Sequence, residues 1–279
     1  MDALHTLLTV FPAAVLSGVA VALMCSMLGV FVILKRMVFI GAVLSEVAAL
    51  GLAAAMVLHL PPLAGATVTT LAAAVWISRP FEQGRIPRDA VLGAMFAVAG
   101  ALSILLSAHT GLGLEEVKAL LYGDLVLTRR SDLAAILGVV VPLSLLLFLS
   151  HRPILYTFLD RDAARLLGLR TGAWEVFFFS ALALVISVAA RAAGAMLVFA
   201  YLTMPASAAL LLSRQLRRVM LLAAIFAVTP TLVGLHAAIA WDLPANQLIV
   251  ALMALPLLSA GLVRGATALR RASRISDQG

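Results

Sequence analysis

The sequence predicts an all-α protein, a polytopic transmembrane helical bundle with eight to nine spanning segments, and three observations predict it. Hydrophobic residues make up 63% of the 279 positions and charged residues 12%, whereas charged residues alone reach about a quarter of a soluble domain. Mean hydropathy is +1.12. Several apolar runs approach or exceed the ~20 residues that carry a helix across a bilayer. They are continuous rather than alternating, which excludes an outer-membrane barrel.

Taken in order, the apolar runs span 8–34, 38–58, 63–78, 90–108, 133–150, 173–190, 194–212, 219–240 and 247–263. Turn and loop signals part them: HLPP at 59–62, RPFEQGRIPRD at 79–89, HTGLG at 109–113 and WDLPAN at 241–246. The start, MDALHTLL, carries no Lys or Arg and so lacks the basic region of a cleaved signal peptide. Cys25 is the single cysteine. Without a partner for a disulfide or a thiolate cage, it reads as a small packing residue. Together these features predict one transmembrane domain over 1–279, closed by a short basic tail at 264–279.

The net charge of +7 would suggest nucleic acid in a soluble chain, but its distribution suggests a membrane topology. With the N-terminus outside, sixteen of the twenty Lys and Arg residues fall on the inner side, in clusters such as Lys35–Arg36, Arg152–Arg170 and Arg214–Arg218. Lys118, Arg129, Arg130 and Arg191 fall outside. The positive-inside rule therefore predicts an external N-terminus and a cytoplasmic C-terminus.

Two regions do not read as simple spans. Residues 114–132 are too charged for lipid and suggest an external or re-entrant element. Pro205 lies near the middle of AGAMLVFAYLTMPASAALLLSR, where a missing donor and a clash one turn back predict either a broken helix or a kinked one. Broken backbone at that depth needs protein or a water-filled cavity around it. The polar stretch 151–172 predicts a short amphipathic cytoplasmic helix, with Leu159, Ala163, Leu166 and Leu167 on one face and Arg161, Asp162 and Arg165 largely elsewhere. Such a helix lies on the membrane surface or docks into a partner's groove.

Glu46 is the first candidate for chemistry. It sits inside the run from Val38 to Leu58, roughly 12 Å from the run's start at 1.5 Å per residue. A carboxylate in hydrocarbon costs several kcal/mol by most scales, so it should face the bundle interior, a partner or water. Gly41, Ala42, Ser45 and Ala49 beside it are small, which suits close packing or a cavity. Its two readings are a pathway or ion-binding carboxylate and a structural, protonated one. His59, His109, His236 and Asp242, with Glu115, Glu116 and Asp124, stand near outer ends of segments. Oxygen and imidazole groups there could attract divalent cations, although no pair has diagnostic spacing. Thr203 and Met204 beside Pro205 are candidate pathway residues.

Several classes of function lack their parts. The sequence has no Walker phosphate loop, so nucleotide hydrolysis is not expected of this chain. It has no zinc-protease motif and no Gly-x-Ser-x-Gly elbow. The single intramembrane carboxylate makes no aspartyl dyad. No self-similarity suggests the inverted repeats of a secondary transporter.

An ordered set of segments resembles the ABC-3 permeases, the membrane subunits of bacterial ATP-driven zinc, manganese and iron importers. They are MLGVFVILKRMVFIGAVLSEVAALGLA, LLYGDLVL, FLDRDAARLLGLRTGAWE and AAGAMLVFAYLTMPASAALLLSR. The resemblance runs from about Ser17 to Leu262. It implies a dimeric permease, homodimeric by expectation, in a bacterial plasma or inner membrane. Metal would arrive from an extracytoplasmic binding protein, and cytoplasmic ATPase subunits would bind the ATP. It implies no permanently bound cofactor, a transported divalent ion (zinc or manganese) and no nucleic-acid partner.

By that resemblance, 158–170 is the segment that couples to the ATPase. Asp160, Ala164, Leu167 and Gly168 match the family pattern, with Arg161 and Arg165 beside them. Gly123–Asp124 matches an external Gly-Asp, and the run around Pro205 matches a broken helix near the pathway. One departure stands out. The family commonly has Gly-Asp with a His four residues after the Asp, where this chain has Gly41, Ala42 and Glu46. One oxygen ligand per subunit then replaces a carboxylate–imidazole pair. The expected function is an importer permease for zinc or manganese. The alternatives are a permease for a metal chelate, siderophore or haem, and a membrane scaffold acting without an ATPase.

Overall fold

In the computed structural model, residues 11–79, 87–109, 123 and 125–276 are described. Nine helices occur among them: α1 (Pro12–Leu34), α2 (Ile40–Val57), α3 (Pro62–Ile77), α4 (Arg88–His109), α5 (Arg130–Leu159), α6 (Arg161–Leu166), α7 (Thr171–Leu212), α8 (Leu216–Trp241) and α9 (Ala245–Ser276). A 3-10 turn, Leu125–Leu127, precedes α5. Seven of these helices are long and apolar enough to cross a membrane, and α3 is a shorter apolar helix. The expected apolar runs all became helix, two of them within α7.

α7 is the axis of the bundle. It is the most enclosed of the candidate spans and packs against α1, α2, α3, α5, α8 and α9. Association inside a membrane relies on close backbone approach between small residues, and this sequence supplies it. A Cβ on Gly29 of α1 would fall 2.0 Å from the Leu202 carbonyl oxygen of α7, and one on Gly65 of α3 would fall 2.3 Å from that of Gly51 in α2. Polar side chains add clasps within the apolar packing. The buried Tyr201 hydroxyl lies 2.6 Å from Thr231 Oγ1, which donates to the Ala227 carbonyl at 2.7 Å. Cys25 is fully buried and free of disulfides, as a packing residue should be.

The long helix is broken at Gly194 (φ 75°, ψ 157°), not at Pro205 as the sequence suggested. That backbone region is essentially open to glycine alone. Pro205 is buried inside a continuous stretch of α7. Pro142, Pro153, Pro230 and Pro256 are likewise accommodated within α5, α8 and α9. Thr157 Oγ1 donates back to the Pro153 carbonyl at 2.8 Å, keeping a polar side chain satisfied within the helix.

Neighbouring segments close the break. Gly123 (φ 56°) lies against it so tightly that a Cβ there would meet the Gly194 nitrogen at 2.3 Å. Asn246, at the start of α9, donates from Nδ2 to the Ala193 carbonyl at 2.9 Å. Its Oδ1 accepts from the Leu125 backbone N–H at 3.3 Å. Arg191 pairs with Asp132 of α5 at 3.1 Å on the same side.

Two other boundaries moved. α5 runs through Pro153 to Leu159, so the amphipathic helix expected across 151–172 shortens to α6. The basic segment after Arg264 continues α9 as helix to Ser276. Most of the suspected external element at 114–132 lies outside the described residues.

The break yields a first expectation. Gly194→Val should destabilise the protein by about 1–3 kcal/mol. Asn246→Leu, which strands a buried N–H and a carbonyl, should cost a similar ~1–3 kcal/mol. Thermal unfolding of purified protein in detergent measures both, and midpoints equal to wild type would refute the clasp.

Candidate functional site

α2 carries the intramembrane carboxylate because its sequence gives it two small-residue faces. Gly41 turns towards α7, where a Cβ would lie 2.8 Å from Leu202 Cδ1. Glu46 turns towards α4. A Cβ on Gly100 would stand 3.5 Å from Glu46 Oε2, so the absence of a side chain at that glycine leaves room for the carboxylate. Glu46 is half-buried, and its Oε2 is enclosed without a hydrogen-bond partner. Ser45 beside it is buried, and its Oγ is also unpartnered. Among the described residues neither oxygen is committed to an internal bond, and the Glu46 carboxylate beside Gly100 can accept a ligand.

The other candidate residues do not gather around them. His59 is exposed at the end of α2 in a left-handed conformation (φ 54°). Asp242 is the exposed left-handed C-cap of α8. His236 is half-buried on α8, with Nδ1 enclosed and unpartnered. Met204 packs against the main apolar core, and Pro205 is buried. Asp124 lies outside the described residues, as do Glu115 and Glu116. Among the described residues, no three His, Cys, Asp or Glu side chains converge as a metal site.

The second candidate region is the loop between α5 and α7, built almost entirely by local rules. Asp160 caps α6: its Oδ1 accepts from the N–H of Asp162 at 3.1 Å and of Ala163 at 3.0 Å. At the other end Gly168 (φ 77°) closes a Schellman turn, with Gly168 N–H bonded to the Arg165 carbonyl and Leu169 N–H to that of Ala164. Arg165 meets Asp162 at 3.6 Å, and its Nε donates to Thr171 Oγ1 at 3.4 Å. Ala164 is the buried contact of this six-residue helix. Its apolar edge is not covered by the bundle: Leu166 is 90% exposed and Leu167 69%.

What anchors the loop was not evident from the sequence. Glu175, in the first turns of α7, is 2% exposed and sits between two cations. Lys35 Nζ, just past α1, contacts its Oε1 at 2.5 Å, and Arg161 approaches Oε2 at 3.6 Å. Lys35 also lies 5.2 Å from the ring centre of Phe158, within cation–π range. One carboxylate thus joins α1, α6 and α7. The available signal was a lone Glu in TGAWEVFFF close to basic residues that topology brings to the same end.

Fold and sites together define a polytopic helical membrane protein with an ordered, outward-facing loop helix at one end. Comparison with known proteins sharpens this. The model of the ABC 3 transport family matches residues 8–264, and the chain belongs to that family. It is 28% identical over 238 residues to the manganese transport system membrane protein MntC of Halalkalibacterium halodurans, covering 85% of this chain and 81% of that one. The chain resembles a structure of PsaBC from Streptococcus pneumoniae in complex with Fab, with a TM-score of 0.83, 25% identity, and coverage of 92% of this chain and 94% of that one. It also shares the fold of a metal-chelate type ABC transporter in an inward-facing conformation, with a TM-score of 0.65 at 18% identity over 92% of this chain and 88% of that one.

The carboxylate between two cations carries a second expectation. Glu175→Gln should lower stability by on the order of 2 kcal/mol, less than a fully enclosed pair because Lys35 and Arg161 keep some solvent. Pairing Lys35→Met with Glu175→Leu should recover part of the loss. Thermal unfolding would show it, and a Glu175→Gln midpoint matching wild type would argue against the anchor.

Proposed function

We propose that this chain is the permease subunit of an ATP-binding-cassette importer for a divalent transition metal, with manganese as the foremost substrate. The observation that carries the reading is the similarity to a manganese transport membrane protein across 85% of the chain. The chain acts as one permease domain in the cell membrane, N-terminus outside and C-terminus cytoplasmic, on the distribution of its Lys and Arg residues. Metal arrives from an extracytoplasmic binding protein. A second copy completes the pathway, and ATP is hydrolysed on a separate subunit. Transport changes no bond in the substrate. Each ATP cycle biases the inward–outward equilibrium, and different metal affinities in the two states give direction.

Glu46 is the pathway ligand in this scheme. Supporting it are an enclosed, uncommitted carboxylate oxygen and the space left by Gly100. Carboxylate, carbonyl and water ligands suit manganese, whereas imidazole suits zinc. A glutamate where the resembled family pattern has histidine would tilt selectivity towards manganese. Two copies would supply two carboxylates, with water completing the shell. Weak binding is compatible with transport, since the ion must also leave.

The α6 loop is the ATPase dock. A capped helix, a closed C-terminal turn and two leucines displayed to solvent form a compact apolar knob suited to a partner's groove. Asp160, Arg161, Ala164, Arg165 and Gly168 hold the knob rather than make it. Glu175 transmits its displacement to α1 and α7.

Two experiments test the scheme. In cells carrying equal amounts of permease, Glu46→Gln should cut manganese uptake at least about tenfold, and Glu46→His should raise zinc uptake relative to manganese. Manganese uptake unchanged in Glu46→Gln would remove Glu46 from the pathway. Separately, Leu166→Glu with Leu167→Glu should abolish co-purification of the ATPase while leaving the permease folded by its thermal midpoint. Retained ATPase would reject α6 as the dock.

A further inference from the structure

A cleft of about 1380 Å³ opens on the outer surface between α5 and the start of α8, floored by α1. Both walls pack on α1 but not extensively on each other. From Val141 to Tyr156 on α5 it extends about 22 Å at 1.5 Å per residue, more than one leaflet of a hydrocarbon core some 30 Å thick. Met24, Met27, Leu145 and Phe148 are among its apolar lining. One end differs: Arg152 and Arg217 reach its rim from opposite walls, with Gln215 beside them. Both arginines are exposed, and neither has an ion-pair partner among the described residues. His151, also at the rim, is otherwise engaged: its Nδ1 lies 2.5 Å from the Phe148 carbonyl, and its ring stacks on Phe148.

We propose that this cleft is a binding site for an anionic phospholipid of the leaflet on the α6 side, its acyl chain between α5 and α8 and its phosphate between Arg152 and Arg217. The shape and charge require both halves of that ligand. An apolar slot of this length accepts a hydrocarbon chain, and two arginines lining the same end favour an anionic phosphate. An extended protein segment would have to bury its backbone in the same apolar slot with no partners for its polar groups. The cleft abuts the cytoplasmic loop of the proposed transporter. It shares Ile154 and Tyr156 with the last turns of α5 before α6, so an occupied cleft would brace the dock from the lipid side. Naming that leaflet cytoplasmic rests on the proposed orientation, whereas the site itself does not.

Native mass spectrometry of the purified full-length chain tests this, with phosphatidylglycerol and phosphatidylcholine of identical acyl chains as probes. Wild type should hold phosphatidylglycerol in preference. Arg152→Gln with Arg217→Gln should reduce phosphatidylglycerol occupancy about tenfold or more while leaving phosphatidylcholine binding unchanged. Leu145→Trp, which fills the slot and keeps the arginines, should reduce both. Equal occupancy by the two lipids in wild type, or an undiminished preference in the double arginine variant, would overturn the site. Dimers that dissociate in Leu145→Trp without any lipid preference would overturn it too, in favour of a second copy in the cleft. These readouts need no metal, so a chain that binds the lipid and moves no manganese would fail as a transporter while keeping the lipid site.

Discussion

A helix that breaks inside a packed bundle leaves backbone groups in need of partners, and α7 depends on Asn246 for them. The amide bonds the carbonyl left at Ala193 and also holds the N–H of Leu125. Its two ends serve two strands of the chain at once. The close contact of Gly123 with Gly194 is possible because neither glycine carries a Cβ. The bundle is therefore organised by a polar repair in an apolar setting, and its stability is concentrated in few atoms.

The opposite end is organised by charge. Glu175 would be costly if enclosed alone. Lys35 and Arg161 offset that cost, and the carboxylate then fixes three helices to one point. This arrangement makes the α6 loop rigid at its base. Asp160 and Gly168 make it rigid along its length, by capping one end and turning the other. The leucines at its tip gain no cover from the bundle, so their exposure is a stable property of the fold rather than a consequence of looseness. The proposed role as an ATPase dock calls for this stiffness, because a soft loop would absorb a partner's push instead of passing it to α1 and α7.

Much of this was legible in the residues, and what was not has physical causes. The apolar runs located the helices because the bilayer fixes the length and polarity of a span. They also parted at 191–193, beside the break at Gly194, although the break itself was expected at Pro205. Proline advertises a missing donor, yet Pro205 is carried within the helix like the four other prolines inside α5, α8 and α9. What holds Gly194 in its conformation, Gly123 and Asn246, is distant in sequence and was not legible. Asp160 and Gly168 were legible as cap and turn, since those roles act over three or four residues. Glu175 was not, since its partners come from α1 and α6. His59, His236 and Asp242 looked like members of a cluster, but proximity to the same membrane face does not bring side chains together.

Glu46 shows what the absence of a cluster leaves available. An enclosed oxygen with no partner is a cost to the folded chain, and Gly100 preserves that arrangement by leaving the space beside it unfilled. A structural carboxylate would be expected to find a donor within its own bundle, as Glu175 does at the other end of the protein. The described helices around Glu46 provide none to Oε2. The two glutamates thus follow opposite logic in one fold: Glu175 is satisfied by its own chain and ties it together, whereas Glu46 is left unsatisfied by its own chain. A group maintained in that state is suited to something that comes and goes.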